Sequence, residues 1–317
     1  DRERRIAPQG DIICDLSPLG VIKVTGDDAE NFLQSQLTND IQQLSADQAQ
    51  SSAWCNPKGR VIASLLVVKT TDGYLISLAK DLIPFVLKRL QMYIMRAKVT
   101  LQDISHSIVH FGFSGAYIHQ DWEACCSGTL NNSNYAVSYF EDLTIIRIPS
   151  VSTPRFQVIG EFEKASMLWN KLNVRAAPVA YSTWEYLNIL AGIPTITEAS
   201  REKWIPQMLN MQLLNTVNFK KGCFPGQEVV ARLKYLGATK RRLYRLSTTT
   251  DLLATTGDSI VTQDDSDAGK VLNATFNPEG KVELLAILKI ALSEGPLFLA
   301  NSKEVALEIL ELPYSTD

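Results

Sequence analysis

Lys220-Lys221-Gly222-Cys223-Phe224-Pro225-Gly226-Gln227-Glu228-Val229-Val230-Ala231-Arg232 packs a thiol, two lysines, two glycines, a proline and a Gln-Glu pair into one short stretch. It reads as a turn that opens a helix. Pro225 suits the first helical position. Val229, Val230 and Leu233 carry the helix on to Tyr235, with Gly237 past its end. Cys223 then falls just ahead of a helix N-terminus, where unpaired N–H groups and the macrodipole favour anions. Lys220 and Lys221 add positive charge, and both effects lower a thiol pKa. Glu228 can cap the helix, accept a ligand N–H or pair with Arg232 four residues on. Local physics leaves two readings open: a working thiol, or a small buried residue in a Gly-Pro turn.

Upstream of this stretch the chain mixes strands and helices without regular β-α-β-α alternation, which predicts an α+β fold. Strands are expected from Ile12 and at Val21–Val24. A helix follows Gly26-Asp27-Asp28, with Ala29, Phe32, Leu33 and Leu37 at helical spacing. A strand at Ala53–Cys55 ends in the turn Asn56-Pro57-Lys58-Gly59. Val61–Lys69 and Tyr74–Leu78 form a hairpin around Thr71-Asp72-Gly73. Asp81–Met95 is an amphipathic helix. A second unit repeats the mixture: strands at 108–113, 144–148 and 156–160, then helices at 162–173 and 182–190. After Arg242 come short strands separated by turns such as Thr256-Gly257-Asp258 and Asn277-Pro278-Glu279-Gly280. They predict a small antiparallel barrel or sandwich. The expected divisions are 1–107, 108–238 and 239–317.

With 317 residues, 45% hydrophobic and 21% charged, the composition is that of a globular protein. A net charge of −3 gives no global drive towards nucleic acid or membrane. No apolar run approaches 18 residues, so no membrane span is expected, and the charged Asp1–Arg5 segment is unlike a secretion signal. Cys14, Cys55, Cys125, Cys126 and Cys223 are odd in number and irregularly spaced. No metal or redox motif results, and a cytoplasmic home fits the set. His106, His110 and His119 lack acidic partners at metal-motif spacing and read as structural. Trp184, ahead of Ala191-Gly192-Ile193-Pro194, either stacks on a flat heterocycle or fills the core. Lys234 and Lys240-Arg241-Arg242 read as a solvated linker or a polyanion contact.

These residues together resemble one family. Lys221-Gly222-Cys223-Phe224-Pro225-Gly226-Gln227-Glu228 is similar to the K-G-C-[YF]-x-G-Q-E signature of the YgfZ proteins, relatives of the glycine cleavage T-protein, an aminomethyltransferase. Further blocks follow in the family's order: Val24–Ala29 with Gln36–Asp40, Leu187–Pro194, Ile205–Asn210 and Leu312–Ser315. The resemblance implies two ferredoxin-like, folate-binding α+β units and a C-terminal β-barrel arranged as a ring, with tetrahydrofolate as cofactor. It also implies a monomeric accessory protein in which Cys223 keeps iron–sulfur client enzymes active and so supports tRNA thiomethylation. Cys223, Lys221 and Glu228 are the working residues on this view. Trp184, Leu19, Gly226, Gln227 and Arg232 are the folate contacts, with no metal site.

The chain departs from the pattern in three respects. Ala63 and Ser64 stand where aminomethyltransferases carry acidic residues, so no carboxylate is present to manage the proton and aminomethyl transfer is not expected. Leu190 replaces a glutamate that would hydrogen-bond the pterin. Leu19 falls where the family has a second tryptophan. Two other activities are consistent with parts of the chain: a folate-dependent one-carbon transferase using Cys223 or Glu228, and a direct tRNA-binding module using Lys234 and Lys240–Arg242.

Overall fold

The computed structural model describes residues 10–126 and 128–316. They form two compact units that interleave along the chain. One comprises the residues up to Gln34, Asp40–Ser52 and Leu65–Trp184. The other comprises Ser35–Asn39, Ala53–Ser64 and the chain from Glu185 onward. The helices are α1 (Ala29–Gln36), α2 (Ile83–Ile94), α3 (Ile118–Cys125), α4 (Phe162–Leu172), α5 (Tyr181–Leu190) and α6 (Gln227–Leu236).

The first unit is built on a six-stranded sheet ordered Ala177–Val179, Ile12–Asp15, Val109–Ser114, Arg155–Gly160, Leu143–Ile148, Val137–Phe140. The parallel pair is Ile12–Asp15 with Ala177–Val179; the other neighbours run antiparallel. The first strand of the chain therefore belongs to the sheet of the 108–179 region, a pairing that local patterning does not reveal. One sheet face carries Phe111, Phe113, Phe156 and Val158, which pack with Trp122 of α3 and Leu168 of α4. Phe113 lies between the rings of Trp122 and Phe156, at centroid distances of 6.3 and 5.2 Å. Alternate residues, Ile146, Ile148 and Ile159, turn to the other face and meet Val21 and Val68. Both faces are covered, which explains why these strands read as nearly continuous apolar runs. A five-stranded sheet ordered Gln50–Cys55, Val61–Thr70, Gly73–Ala79, Leu19–Thr25, Thr100–Asp103 carries α2. That helix starts two residues later than its periodicity predicts, because Lys80–Leu82 winds as a 3₁₀ turn ahead of it.

The C-terminal strands close into an antiparallel barrel in the order Arg241–Thr248, Val282–Lys289, Asp267–Phe276, Ser259–Thr262, Leu297–Leu299, Ser302–Leu310. Its inward positions, among them Leu246, Val271, Leu284, Leu288 and Leu299, are fully or almost fully buried. Each such side chain contributes roughly 1.5–3 kcal/mol of hydrophobic stabilisation.

Candidate functional site

The turn that carries Cys223 is held from beneath by buried polar contacts within the second unit. Thr38 is fully buried; its hydroxyl donates to the Thr216 carbonyl at 2.8 Å and accepts the Ala53 N–H at 2.9 Å. Asn39 Nδ2 donates to the Asn215 carbonyl at 2.7 Å, and the Asn218 N–H to the Thr38 carbonyl at 3.0 Å. Lys221 completes the joint. Its Nζ donates to the carbonyls of Leu37 (2.5 Å) and Asn39 (3.0 Å) and lies 5.6 Å from the Phe224 ring centre. The Gln36–Asp40 block is thus the socket of the Lys221–Glu228 block. Lys221 is buried and directed at carbonyl oxygens, so it anchors the turn.

The helix begins later than the sequence predicts. Gly226 is the N-cap of α6, in the left-handed region at φ 81°, and Gln227 is the first helical residue. Pro225 precedes the cap and is not the first helical residue, and Cys223 lies three residues ahead of the cap. The cause is a close backbone crossing. A Cβ on Gly226 would come within 2.5 Å of the Asn56 carbonyl oxygen and the Gly59 Cα. The Asn56–Gly59 turn is itself fixed: Asn56 Oδ1 accepts the N–H groups of Lys58 and Arg60, and its Nδ2 donates to Glu202 at 2.9 Å. Only glycine allows both the positive φ and this approach. From the helix side, Gln207 Nε2 donates to the Val230 carbonyl at 2.6 Å, and Asn210 Nδ2 to the Leu243 carbonyl at 3.0 Å. The Ile205–Asn210 block is therefore the brace of α6 and of the first barrel strand.

What this frame presents outward is the thiol. Cys14, Cys55 and Cys126 are buried and Cys223 is exposed, and none of the four is in a disulfide. Burial pushes the Cys55 thiol up to about 12, so it stays protonated and unreactive. Nothing is described of the Cys125 side chain. Gln227 and Arg232 lie on α6 with Glu228; Glu228 and Arg232 line a shallow groove of about 330 Å³ along the helix. Among the basic residues, Arg242 donates to the Thr316 carbonyl and to the Tyr244 hydroxyl, and Arg241 sits 3.6 Å from Asp267. Lys234 lies 3.8 Å from the Phe219 ring centre. Ala63 is buried, and the Ser64 hydroxyl accepts the Ile196 N–H at 3.1 Å, so that place offers no titratable group.

The other predicted residues lie in the first unit or on α5. Trp184 is fully buried. Its ring presses so closely on Gly112 that a Cβ there would come within 2.5 Å of it, and the Arg155 guanidinium sits 5.3 Å from the ring. Arg155, fully buried, is the residue that sequence reading missed. Its Nε donates to the Pro149 carbonyl, while Nη1, Nη2 and the indole Nε1 of Trp184 are buried with no protein partner. Burial also pushes the guanidinium pKa down. An arginine leading a strand normally points to solvent, so no pattern announces it. Leu19 is half-buried on its strand and Leu190 half-buried at the end of α5. Tyr314, in the Leu312–Ser315 block, donates its hydroxyl to the Gly192 carbonyl at 2.8 Å, beside the left-handed Gly192. His110 is buried with Nε2 3.2 Å from Gln157 Oε1, and desolvation lowers its pKa to about 4. Among the described residues, no three His, Cys, Asp or Glu side chains gather as a metal site. Nor is any described helix long and apolar enough to cross a membrane.

This fold is that of the glycine cleavage T-protein class. Residues 1–162 match the GCVT N-terminal domain. The structure is similar to that of aminomethyltransferase T of the glycine cleavage system from Bartonella henselae, with a TM-score of 0.82 over 98% of this chain and 88% of that one; at 17% identity the likeness is one of fold. Within that class, the chain is 32% identical to the tRNA-modifying protein YgfZ of Vibrio vulnificus strain YJ016, over 95% of this chain and 92% of the relative. It is 31% identical to the protein of the same name from Yersinia pestis strain Pestoides F, over 95% and 91%. The chain belongs to the YgfZ family.

Proposed function

We propose that this chain is a tetrahydrofolate-binding accessory protein that supports iron–sulfur enzymes, and through them tRNA modification, by means of the Cys223 thiol. The observation that carries the reading is the contrast between an exposed Cys223 and the buried Cys14, Cys55 and Cys126, in a turn whose every anchor leaves the thiol facing out. A protein relative named as tRNA-modifying gives the reading its cellular context. The test is a strain lacking the chain, scored for thiomethylated tRNA and complemented with wild type or Cys223→Ala. Rescue by wild type alone is the expected outcome; equal rescue by both removes the thiol from the function.

The folate part rests on different residues and fits less closely. Trp184 has no exposed ring face, Leu19 supplies no aromatic wall, and Leu190 cannot hydrogen-bond a pterin. In favour stand the unpartnered buried donors of Arg155 and Trp184, which suit an acceptor-rich group. Bound folate would supply a carrier for one-carbon units. The residues that the family resemblance assigns to it are Gly226, Gln227 and Arg232 in the second unit and Trp184 and Leu19 in the first. Calorimetric titration with tetrahydrofolate, on wild type and Trp184→Phe, tests this. Heat in wild type that weakens in the variant is expected; no heat in wild type removes the folate and leaves the thiol.

A further inference from the structure

Helix α6 buries one side chain, Val230, and leaves the rest of its length half-exposed or exposed. Val229, Tyr235 and Leu236 are 42%, 64% and 83% exposed. Val229, Leu233 and Leu236 recur at helical spacing and, with Ile205, form the apolar lining of the groove that Glu228 and Arg232 flank. Exposed apolar side chains gathered along one helix mark a partner surface. The charge around them is one-sided. Lys220, Arg232, Lys234 and Lys240 are exposed, and Glu228 is the only acidic residue between positions 219 and 242. Cys223 is exposed just ahead of the same helix.

We infer that this face of α6 docks an acidic polypeptide segment carrying an apolar stripe, and so brings a protein client to Cys223. The aliphatic lining selects a polypeptide over RNA, which binds cations through phosphate and aromatic rings through its bases. The basic rim selects an acidic partner. It also disfavours a second copy of this chain, because a two-fold pair would set the same cations against each other. The inference deepens the accessory-protein reading by giving the client its chemistry, and the binding step itself does not require the thiol.

The test uses the purified full chain and a fluorescein-labelled amphipathic helical peptide with leucines at i, i+3, i+4 and i+7 and glutamates on the flanks, followed by anisotropy. Saturable binding is expected, with the lysine-flanked counterpart binding about tenfold more weakly or worse. Leu236→Asp and Val229→Asp, both at exposed positions that leave the fold intact by circular dichroism, should each weaken binding about tenfold. Arg232→Glu should weaken it about fivefold and flatten its salt dependence. Cys223→Ala should leave it unchanged. Equal binding of the two peptides, or indifference to both aspartate substitutions, overturns the inference. So does tRNA binding that Leu236→Asp abolishes, which assigns the face to RNA, or a dimer in sedimentation that Leu236→Asp dissociates, which assigns it to a second copy. Failure here with Cys223→Ala still unable to rescue leaves the thiol reading standing. Peptide binding with full rescue by Cys223→Ala removes the thiol and keeps the surface.

Discussion

Two regions of the molecule carry its chemistry in opposite ways. The turn at 220–226 is fastened by the hydrogen bonds of Lys221 to buried carbonyls and by the close Gly59–Gly226 crossing, follows a segment held by Thr38 and Asn39, and carries an exposed Cys223. The surroundings of Trp184 are fastened by packing, with an indole fully enclosed by Gly112 and Arg155 and three polar nitrogens left without protein partners. A turn built on polar anchors can hold a side chain outside the core. A packed aromatic cannot be removed without leaving a void. The same kind of substitution should therefore have different consequences at the two places.

The largest effect is expected at Trp184. Trp184→Ala removes a fully buried indole and leaves Gly112 and Arg155 facing a cavity. Urea denaturation should show a loss of about 4 kcal/mol. Trp184→Phe, which keeps an aromatic ring against Arg155, should lose less than half as much. A loss under about 1 kcal/mol for the alanine variant would mean that the ring is not a packing element, and the contrast between the two regions would collapse.

The sheet that seats Trp184 also carries a buried titratable group, His110, in the Gly112 strand. Desolvation holds it near 4, against about 6.5 in the unfolded chain. The imidazole is therefore neutral in the folded protein where the unfolded one already binds a proton. Stability from this source is complete above about pH 6.5 and is lost as pH falls towards 4, by about 3 kcal/mol in all. Chemical denaturation at pH 7 and pH 4.5 should show that loss in wild type and a clearly smaller one in His110→Gln. Identical pH dependence in both would place the acid sensitivity elsewhere.

Much of this was legible in the residues. The barrel strands, α4, the hairpin around Asp72 and the thiol turn each carry a local pattern that tertiary contacts reinforce. What stayed hidden depends on distant pairing. Nothing around Ile12–Asp15 says that it joins Ala177–Val179, and nothing around Gln36–Asp40 says that it receives Lys221. The helix start was misplaced because Pro225 fits a first helical turn locally, while the approach of Gly59 forces the left-handed cap to Gly226. Arg155 and Lys221 share the remaining difficulty: sequence assigns a cation to solvent or to chemistry, and the fold has buried both. Lys221 found carbonyl partners; two of the nitrogens of Arg155 did not.

That difference makes Lys221→Met informative. The methionine retains an apolar stem over Phe224 but leaves the Leu37 and Asn39 carbonyls without their donor. Relief from burying the charge offsets part of the loss, so about 2 kcal/mol is the expected net cost. Thermal and urea unfolding read the cost directly. The variant should also lose rescue in the complementation strain although Cys223 is intact, because the thiol would no longer be held outward. Full stability with full rescue would show that the socket is not what positions the turn.

The smallest effect on stability, and the sharpest on function, is expected at Cys223 itself. The side chain is exposed, nothing in the turn is anchored through its sulfur, and the Lys221 and Gly226 contacts survive its removal. Cys223→Ala and Cys223→Ser should unfold within about 0.5 kcal/mol of wild type, as surface substitutions do. Alkylation by iodoacetamide under native conditions should label wild type at this one position among Cys14, Cys55, Cys126 and Cys223, because a buried thiol held protonated, as at Cys55, does not react. A loss of rescue in a variant that keeps its stability separates chemistry from folding, which no substitution at Trp184 can do. A Cys223→Ala protein that unfolded like Trp184→Ala would instead make the sulfur a packing element and erase the distinction between the two regions.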